Sequence, residues 1–173
     1  MPDALHRLFL DCSVRRLEQS FSRIEACLSK LSEEQVWMRG SENENAIGNL
    51  VLHLTGNVRQ WIVSGVGGAP DTRERDREFS ARGGASIPEL TERLREIVGE
   101  AAAVIGAVTP ERLAERVVIQ KYEVSVLEAI YHVVEHFSLH TGQIIFATKM
   151  LTGSDLGFYS HLGSSAAHAE KTP

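Results

Sequence analysis

Apolar residues recur every three or four positions in four separate stretches of the chain, which is the spacing of an amphipathic α-helix. These stretches cover residues 3–28, 46–64, 86–105 and 125–151. Charged and polar residues fill many of the positions between, so each helix is expected to bury one face. Four long helices of this kind bury their apolar faces against one another, and the pattern therefore predicts an all-α protein folded as a four-helix bundle.

Helix-start signals support these limits. Ser32, Ser86 and Ser125 each stand three residues before a glutamate or glutamine, which is the spacing of a capping box. The first of them is expected to start only a short helical turn. Asn45 is predicted to cap the second long helix, and Gly153 to follow the end of the fourth.

The connectors differ in length and in composition. A polar stretch of about 18 residues leads to Ser86, and extended chain of that length reaches roughly 60 Å, about twice the length of a 20-residue helix. It can therefore return to the other end of the bundle, so that helices two and three run parallel. Within it, the run 73–78 alternates in charge and is predicted to be a solvated loop. Residues 117–124 are expected to be extended chain, too short for a sheet of its own.

Composition indicates one soluble domain. The 173 residues, of which 43% are hydrophobic, suffice for one core, predicted to cover residues 1–163 and to be followed by a flexible tail at 164–173. The net charge of −5 argues against nucleic acid as a partner, because phosphates are bound by basic faces. No apolar run approaches the roughly 20 residues that cross a bilayer, and no signal peptide is evident. No membrane partner and a cytoplasmic location with two reduced cysteines are therefore expected.

The fourth predicted helix carries a stripe of polar residues on one face. His132, His136, His140 and Gln143 share this face, because residues four apart on a helix lie one turn above each other. Neutral imidazole is the commonest protein ligand of divalent transition metals, and two of them one turn apart can converge on one ion. Apolar residues cover much of the rest of the helix, so the stripe is expected to point inwards. Since buried imidazoles without partners are costly, the spacing favours a metal site over histidines that are merely packed.

A straight helix cannot direct all three of these histidines to one ion, because Cα atoms eight residues apart lie about 12 Å from each other. Two are expected to bind, and the spacing leaves open whether these are the first two or the last two. His53, in the apolar second helix, can supply a further ligand from a facing helix, although a packed core histidine is its commoner role. Asn49 and Asn57 flank it one turn either way and can orient its ring or line the same cavity.

Segments 46–54 and 136–143 resemble the paired motifs of the DinB-like superfamily, and residues 149–159 are similar to the ending of an uncharacterised subgroup. The resemblance implies an up-down-down-up bundle with a long crossover between helices two and three. It also implies that three histidines are the metal ligands: His53, His136 and His140. Four residues are then expected to support the ligands or line the cavity: His132, Asn49, Asn57 and Gln143.

The resemblance also suggests a class of function. Relatives include thiol-dependent transferases that use bacillithiol or mycothiol, a maleylpyruvate isomerase, and proteins described as metal-dependent hydrolases. A metal-dependent hydrolase or a low-molecular-weight-thiol transferase that acts on a small molecule is therefore expected, as a homodimer. Zinc or nickel is the expected ion, with iron, manganese or copper as alternatives. The competing hypotheses are a metal- or ligand-binding bundle without turnover and a stress-related interaction module, and no general base is predicted.

Overall fold

The computed structural model describes residues 2–162, with side chains from residue 4, so the predicted tail at 164–173 lies outside the described residues. Four long helices form the predicted all-α bundle around one apolar core. They are α1 (Pro2–Leu28), α3 (Ile47–Val58), α5 (Ile87–Gly106) and α6 (Val126–Thr152). The connectors contain α2 (Glu33–Val36), α4 (Arg75–Ser80) and the strands β1 (Arg116–Ile119) and β2 (Tyr122–Ser125). No helix among the described residues is long and apolar enough to span a bilayer.

Contacts at one end of the bundle define the direction of each helix. Trp37, which follows α2, packs on Gly48 at the start of α3, where a Cβ would come within 2.9 Å of its ring. Its Nε1 donates to the carbonyl of Ala85, just before α5, at 3.1 Å. Gln35 Nε2 donates to the carbonyl of Leu151, at the end of α6, at 3.4 Å. The starts of α3 and α5 thus lie beside the ends of α1 and α6, which confirms the up-down-down-up order and its long crossover.

The helix caps follow the sequence signals with one exception. The three serine caps are confirmed, each with a complete capping box: Ser32, Ser86 and Ser125. Gly153 ends α6 with a φ of 63°, a left-handed conformation that glycine adopts without strain. The prediction of Asn45 as a cap is wrong, because Ala46 occupies that position. Its N–H donates to Asn49 Oδ1 at 3.1 Å, so a side chain from inside the helix replaces the missing cap.

The second long helix continues beyond α3 but changes its hydrogen-bonding pattern. Residues Arg59–Val66 form a π-helical segment, and the N–H of Gly67 donates five residues back to the carbonyl of Ile62 at 2.8 Å. The prediction of one regular helix over 46–64 is therefore wrong from residue 59 onwards. Such wide turns are rare and often adjoin functional sites.

The extended segment near residue 120 forms a small antiparallel hairpin, so the expectation that it is too short for a sheet is wrong. Strands β1 and β2 pair over four residues each, and Gln120 in the turn has a φ of 58°. Ile119 packs so closely on Gly65 that a Cβ there would collide with its side chain. This packing against the π-helical segment stabilises strands that would be marginal alone.

The charged run at 73–78 is only partly solvated, so the prediction of a solvated loop needs correction. The side chains of Glu74 and Arg77 are exposed as expected, but those of Arg73 and Glu78 are 2% and 10% exposed. Two hydrogen bonds of 2.7 Å join them, from Nε to Oε1 and from Nη2 to Oε2. Because this two-pronged pair satisfies both charges, the two side chains can leave water together.

Candidate metal centre

Three histidines from two facing helices meet inside the bundle. The Nε2 atom of His136 on α6 lies 3.1 Å from Nε2 of His53 on α3 and 3.2 Å from Nε2 of His140. One ligand nitrogen from each of the three lies within 4.8 Å of the others. Nitrogen ligands at about 2.0–2.1 Å from a tetrahedral ion are roughly 3.3 Å apart, so the spacing around His136 suits a shared ion. These three nearby histidines could hold a metal ion.

The structure brings the last two histidines of the α6 stripe to His53, and His132 lies one turn away. The ring of His132 packs against the indole of Trp61, with centroids 4.1 Å apart. The centroid of the His132 ring lies 5.6 Å from that of the His136 ring. His132 is therefore a neighbour of the cluster and a part of its aromatic surroundings.

Two of the three imidazoles are held through the ring nitrogen that faces away from the cluster. His53 Nδ1 lies 3.0 Å from Glu78 Oε2, and His140 Nδ1 lies 2.6 Å from Gln143 Oε1. The amide oxygen of Gln143 only accepts, which assigns the hydrogen of His140 to Nδ1. His53 Nδ1 also lies 3.0 Å from Arg73 Nη2, but this group donates to Glu78 Oε2 at the shorter distance of 2.7 Å, so we assign the hydrogen of His53 to Nδ1, facing the carboxylate. The Nε2 lone pairs then face the cluster, which is the tautomer that a metal requires.

His136 completes the cluster but lacks such a partner. Its Nδ1 atom is buried without a hydrogen bond among the described residues, and so is Oδ1 of Asn57. Both residues line one cavity. A buried polar atom without a hydrogen bond costs free energy. A water molecule or a ligand that bonds to these two atoms is therefore favoured at this part of the site.

The two side chains that lie on the Nδ1 side of His53, Arg73 and Glu78, were not predicted from the sequence. Arg73 holds the carboxylate of Glu78 on one side, and His53 Nδ1 contacts it on the other. Gln60 Oε1 accepts a further hydrogen bond from Arg73 Nη1 at 2.9 Å. At Gly56 on α3, a Cβ would collide with Oε1 of Glu78, so only glycine permits this approach. The only sequence signal was charge alternation in a long connector, which is far commoner in solvated loops.

Asn49 lies one turn from His53, yet its carboxamide faces the connector. Its Nδ2 donates to the carbonyls of Glu78 at 2.8 Å and Ala81 at 3.0 Å. Its Oδ1 accepts from Arg39 Nη2 at 2.6 Å. The same Arg39 atom donates to the carbonyl of Phe79 at 2.9 Å. Asn49 thus fixes the backbone that carries the Glu78 carboxylate.

Burial is the main cause of the lowered pKa values of three histidines: His132, His136 and His140. Burial lowers the pKa of His136 from its ordinary 6.5 to about 3, and His140 and His53 add to the shift. Burial also lowers the pKa of His132 and of His140, although the hydrogen bond to Gln143 opposes the shift at His140. These imidazoles are therefore neutral at pH 7, which is the form that binds metal ions.

At the carboxylate of Glu78, hydrogen bonds rather than burial determine the direction of the pKa shift. Burial by itself raises its pKa, but hydrogen bonds from Arg73 and His53 outweigh burial and leave the pKa of Glu78 below its ordinary 4.5. At neutral pH the carboxylate is ionised and accepts hydrogen bonds from both sides. A charged acceptor on Nδ1 also increases the basicity of the imidazole as a ligand.

A cavity of about 440 Å³ opens beside the cluster, with His53 and His136 in its lining. An apolar wall is formed by Trp61, Tyr122 and Val124. Polar groups reach it from other elements: Asn57, Arg75, Gln120, Glu128 and His132. The volume lies within the range of small-molecule sites, about 300–1,000 Å³.

The carboxylate of Glu128 in this lining is already engaged. Its Oε2 accepts hydrogen bonds from the backbone N–H and the hydroxyl of Ser125, at 2.6 and 2.7 Å, and from Arg116 at 3.3 Å. The pKa of Glu128 is lowered by the Ser125 backbone first and by its hydroxyl next. Glu78, which contacts His53, and Glu128, which lines the cavity, thus both have structural partners.

Comparison with known proteins identifies a family and a fold. The family described as "Protein of unknown function (DUF1572)" matches residues 4–161. No curated protein matches the sequence. A conserved protein from Enterococcus faecalis is similar in structure, with a TM-score of 0.69 and 13% identity over 83% of this chain and 97% of that chain.

A DinB-like protein, YjoA from Bacillus subtilis, is similar as well. Its TM-score is 0.64 and its identity 16%, over 85% of this chain and 96% of that chain. At these identities the similarity shows the fold alone. The predicted resemblance to an uncharacterised type of DinB-like protein is confirmed.

Proposed function

This chain belongs to the DUF1572 family, and we propose that it is a metal-dependent enzyme acting on a small molecule. His53, His136 and His140 bind one divalent transition metal through Nε2. The observation that carries the proposal is the Nε2 spacing of 3.1 and 3.2 Å around His136, with two Nδ1 atoms held from behind. Three protein ligands leave a fourth position free, which is the arrangement of catalytic rather than structural zinc sites.

A divalent ion held by these three histidines would supply Lewis acidity for activating a water molecule or a thiol. The side chains of the protein do the rest. Glu78 and Gln143 fix the rings of His53 and His140, so the ligand nitrogens are oriented in advance. The cavity beside the cluster has room for a small substrate next to His53 and His136.

His132 is the proposed group for moving a proton. It lines the cavity next to His136 and makes no hydrogen bond to another side chain among the described residues. Imidazole is the side chain most often used for general acid–base work. The Glu78 and Glu128 carboxylates are engaged by other groups, so neither competes with His132 for this role.

Two reactions fit this arrangement, hydrolysis and transfer of a low-molecular-weight thiol. Zinc or nickel is the proposed ion, and iron, manganese or copper are alternatives, because three neutral imidazoles suit all of these metals to different degrees. Panels of esters and amides would report hydrolysis. Panels of electrophiles with bacillithiol, mycothiol or a simpler thiol would report transfer.

A bundle that binds metal without turnover is the second candidate. The observation in its favour is that the carboxylate in contact with His53, Glu78, and the carboxylate in the cavity lining, Glu128, already have partners. Metal-loaded protein that turns over none of these panels would favour this candidate, or a stress-related role that depends on binding.

A homodimer is part of the proposal. Trp61 offers no surface for it, because this side chain is only 5% exposed and packs inside the chain. Exposed apolar side chains of α6 offer another surface: Tyr131, Leu139, Phe146 and Met150. Sedimentation of the protein at micromolar concentration would distinguish dimer from monomer.

Elemental analysis of the purified protein tests the metal centre. We expect about one equivalent of metal in the wild type. Replacing His136 and His140 together should abolish it, whereas His161→Ala, which removes an exposed histidine outside the cluster, should retain it. Full metal content in the double variant would refute the proposed site.

A further inference from the structure

We propose that the cavity selects a planar aromatic anion, whose ring stacks on Tyr122 beside the buried Trp61 and whose negative charge is held by Arg75. This inference rests on the proposed function, because the same ligand also meets the metal at the histidine cluster. It adds a class of substrate that the histidines by themselves do not specify.

The first argument is a row of aromatic rings that leads away from the cluster. The ring of His132 packs on Trp61 at 4.1 Å, and Trp61 lies 6.4 Å from Tyr122 with planes only 27° apart. All three residues line the cavity. Nearly parallel rings with centroids in the range of about 4.5–7 Å form a stacking surface, and a flat ring gains more from it than an aliphatic chain does.

The second argument is unused hydrogen-bonding capacity along this wall. Among the described residues, Nε1 of Trp61 and Oδ1 of Asn57 are buried without a partner, although both residues line the cavity. An indole N–H only donates, and an amide oxygen only accepts. A ligand with polar ring substituents or a bridging water can satisfy both atoms, which a purely aliphatic ligand cannot do.

The third argument is the charge of the lining. Arg73 is neutralised by Glu78, and Glu128 is engaged by Arg116 and Ser125. Arg75 also lines the cavity, packs over the ring of Phe79 at 4.8 Å, and forms no ion pair among the described residues. Arg75 is therefore the cation of the lining that has no carboxylate partner within 4 Å among the described residues, and its guanidinium favours an anion beside it.

Hydroxamates test the aromatic part, because they bring one metal-binding head with different tails. Binding of benzohydroxamate and acetohydroxamate to the zinc-loaded protein would be measured by calorimetry. We expect benzohydroxamate to bind at least tenfold more tightly. Tyr122→Ala should reduce this preference about three- to tenfold, since it removes one stacking partner. Tyr131→Ala is the matched control, because Tyr131 is equally exposed but lies outside the cavity lining.

A carboxylate on the ring tests the charge. 4-Carboxybenzohydroxamate should bind about three- to tenfold more tightly than benzohydroxamate, and Arg75→Gln should remove this gain. Arg77→Gln is the control, because Arg77 lies on the same short helix, is exposed and does not line the cavity. A gain that persists in Arg75→Gln would overturn the role of Arg75.

The outcomes separate this inference from the function on which it rests. Equal affinity of the wild type for benzohydroxamate and acetohydroxamate would refute aromatic selection while the metal centre stands. A preference unchanged by Tyr122→Ala would also refute stacking in this cavity. Failure of the wild type to retain zinc would instead remove the proposed function itself.

Discussion

The two helices that carry the histidines support them in different ways. On α6, His136, His140 and Gln143 are close along one helix, so helix geometry alone brings them together. On α3, His53 depends on Glu78, which lies 25 residues later in the connector. One half of the site is therefore local, and the other half requires tertiary structure.

This difference shows how much of the site a helix can organise by itself. The α6 half forms wherever its helix forms, and its supporting Gln143 is exposed. The α3 half is a buried stack in which Arg73 and Asn49 each hold a different part of Glu78. Substitutions in the connector should therefore alter metal affinity through His53. Substitutions on α6 should alter it only through His136 and His140.

Loss of a ligand should have the largest effect and should not distinguish the two halves. His53→Ala, His136→Ala and His140→Ala are each expected to weaken metal binding by about 100-fold or more, since each removes one of three protein ligands. Competition with a chromogenic chelator would measure the affinities. Full occupancy in His53→Ala together with loss in His132→Ala would move the site along α6 and leave His53 as a core residue.

Loss of the partner behind each ligand should separate the halves. Glu78→Gln leaves Arg73 buried without its counter-charge, so we expect about 3 kcal/mol of destabilisation and 10- to 100-fold weaker metal binding. Gln143→Ala removes an exposed partner of His140 and should cost less than about 1 kcal/mol. Urea unfolding and metal titration of both variants would test this order, and equal effects would show that the halves are supported alike.

A methyl group added at a glycine of each helix, Gly56 on α3 and Gly142 on α6, compares the two halves again. Gly56→Ala should push Glu78 away from His53, weaken metal binding about tenfold and lower the free energy of unfolding by about 1–3 kcal/mol. Gly142→Ala on α6 meets no atom within 4 Å. It should stabilise the helix by about 0.5–1 kcal/mol and leave metal affinity unchanged. Thermal unfolding of metal-free protein would separate the effect on stability from the effect on the ion.

Acid should destabilise the two halves in succession. The pKa of His136 is lowered by burial to about 3, so the unfolded chain binds more protons as pH falls below 6.5, and stability falls with it. The lowered pKa of Glu78 has the same sign, but its contribution is lost only as pH falls below about 4.5. Unfolding of the metal-free protein between pH 7 and 4 should show a slope that His136→Gln reduces. An unchanged slope would contradict burial of a neutral imidazole.

Among the four clustered histidines, the smallest effect on metal binding is expected at His132. Because it packs on Trp61 and lies beside the three ligands, His132→Ala should weaken metal binding by only about tenfold. Metal titration would give this value. If His132 also moves a proton, turnover should fall further than metal affinity does, which would distinguish the two roles.

The features predictable from the sequence are those with short-range causes. The stripe at His132, His136 and His140 and the capping box at Ser125 depend on spacing within one helix, and periodicity shows them directly. The long crossover was predictable because its length limits where the chain can go. The resemblance then singled out His53, which lies in an apolar helix and has no local signal of its own.

The features that were missed depend on contacts between distant segments. Arg73 and Glu78 are five residues apart, a spacing without meaning on a helix surface, and only packing against Gly56 makes them a buried pair. The hairpin owes its stability to the contact of Ile119 with Gly65. Neither pairing is encoded in a local pattern, so the sequence could not reveal them without the fold.

The buried ends of the charged run have a consequence for how the family can vary in length. Long connectors usually tolerate insertions and deletions, because they run over the surface. Here Arg73 and Glu78 are fixed at both ends of the run, so an added or deleted residue between them would move the carboxylate from His53. Gly83 and Gly84 follow at once, with φ of 146° and 90° and no atom near their missing Cβ. Changes in the length of this connector should therefore concentrate around residues 82–85, outside the segment that supports the histidine cluster.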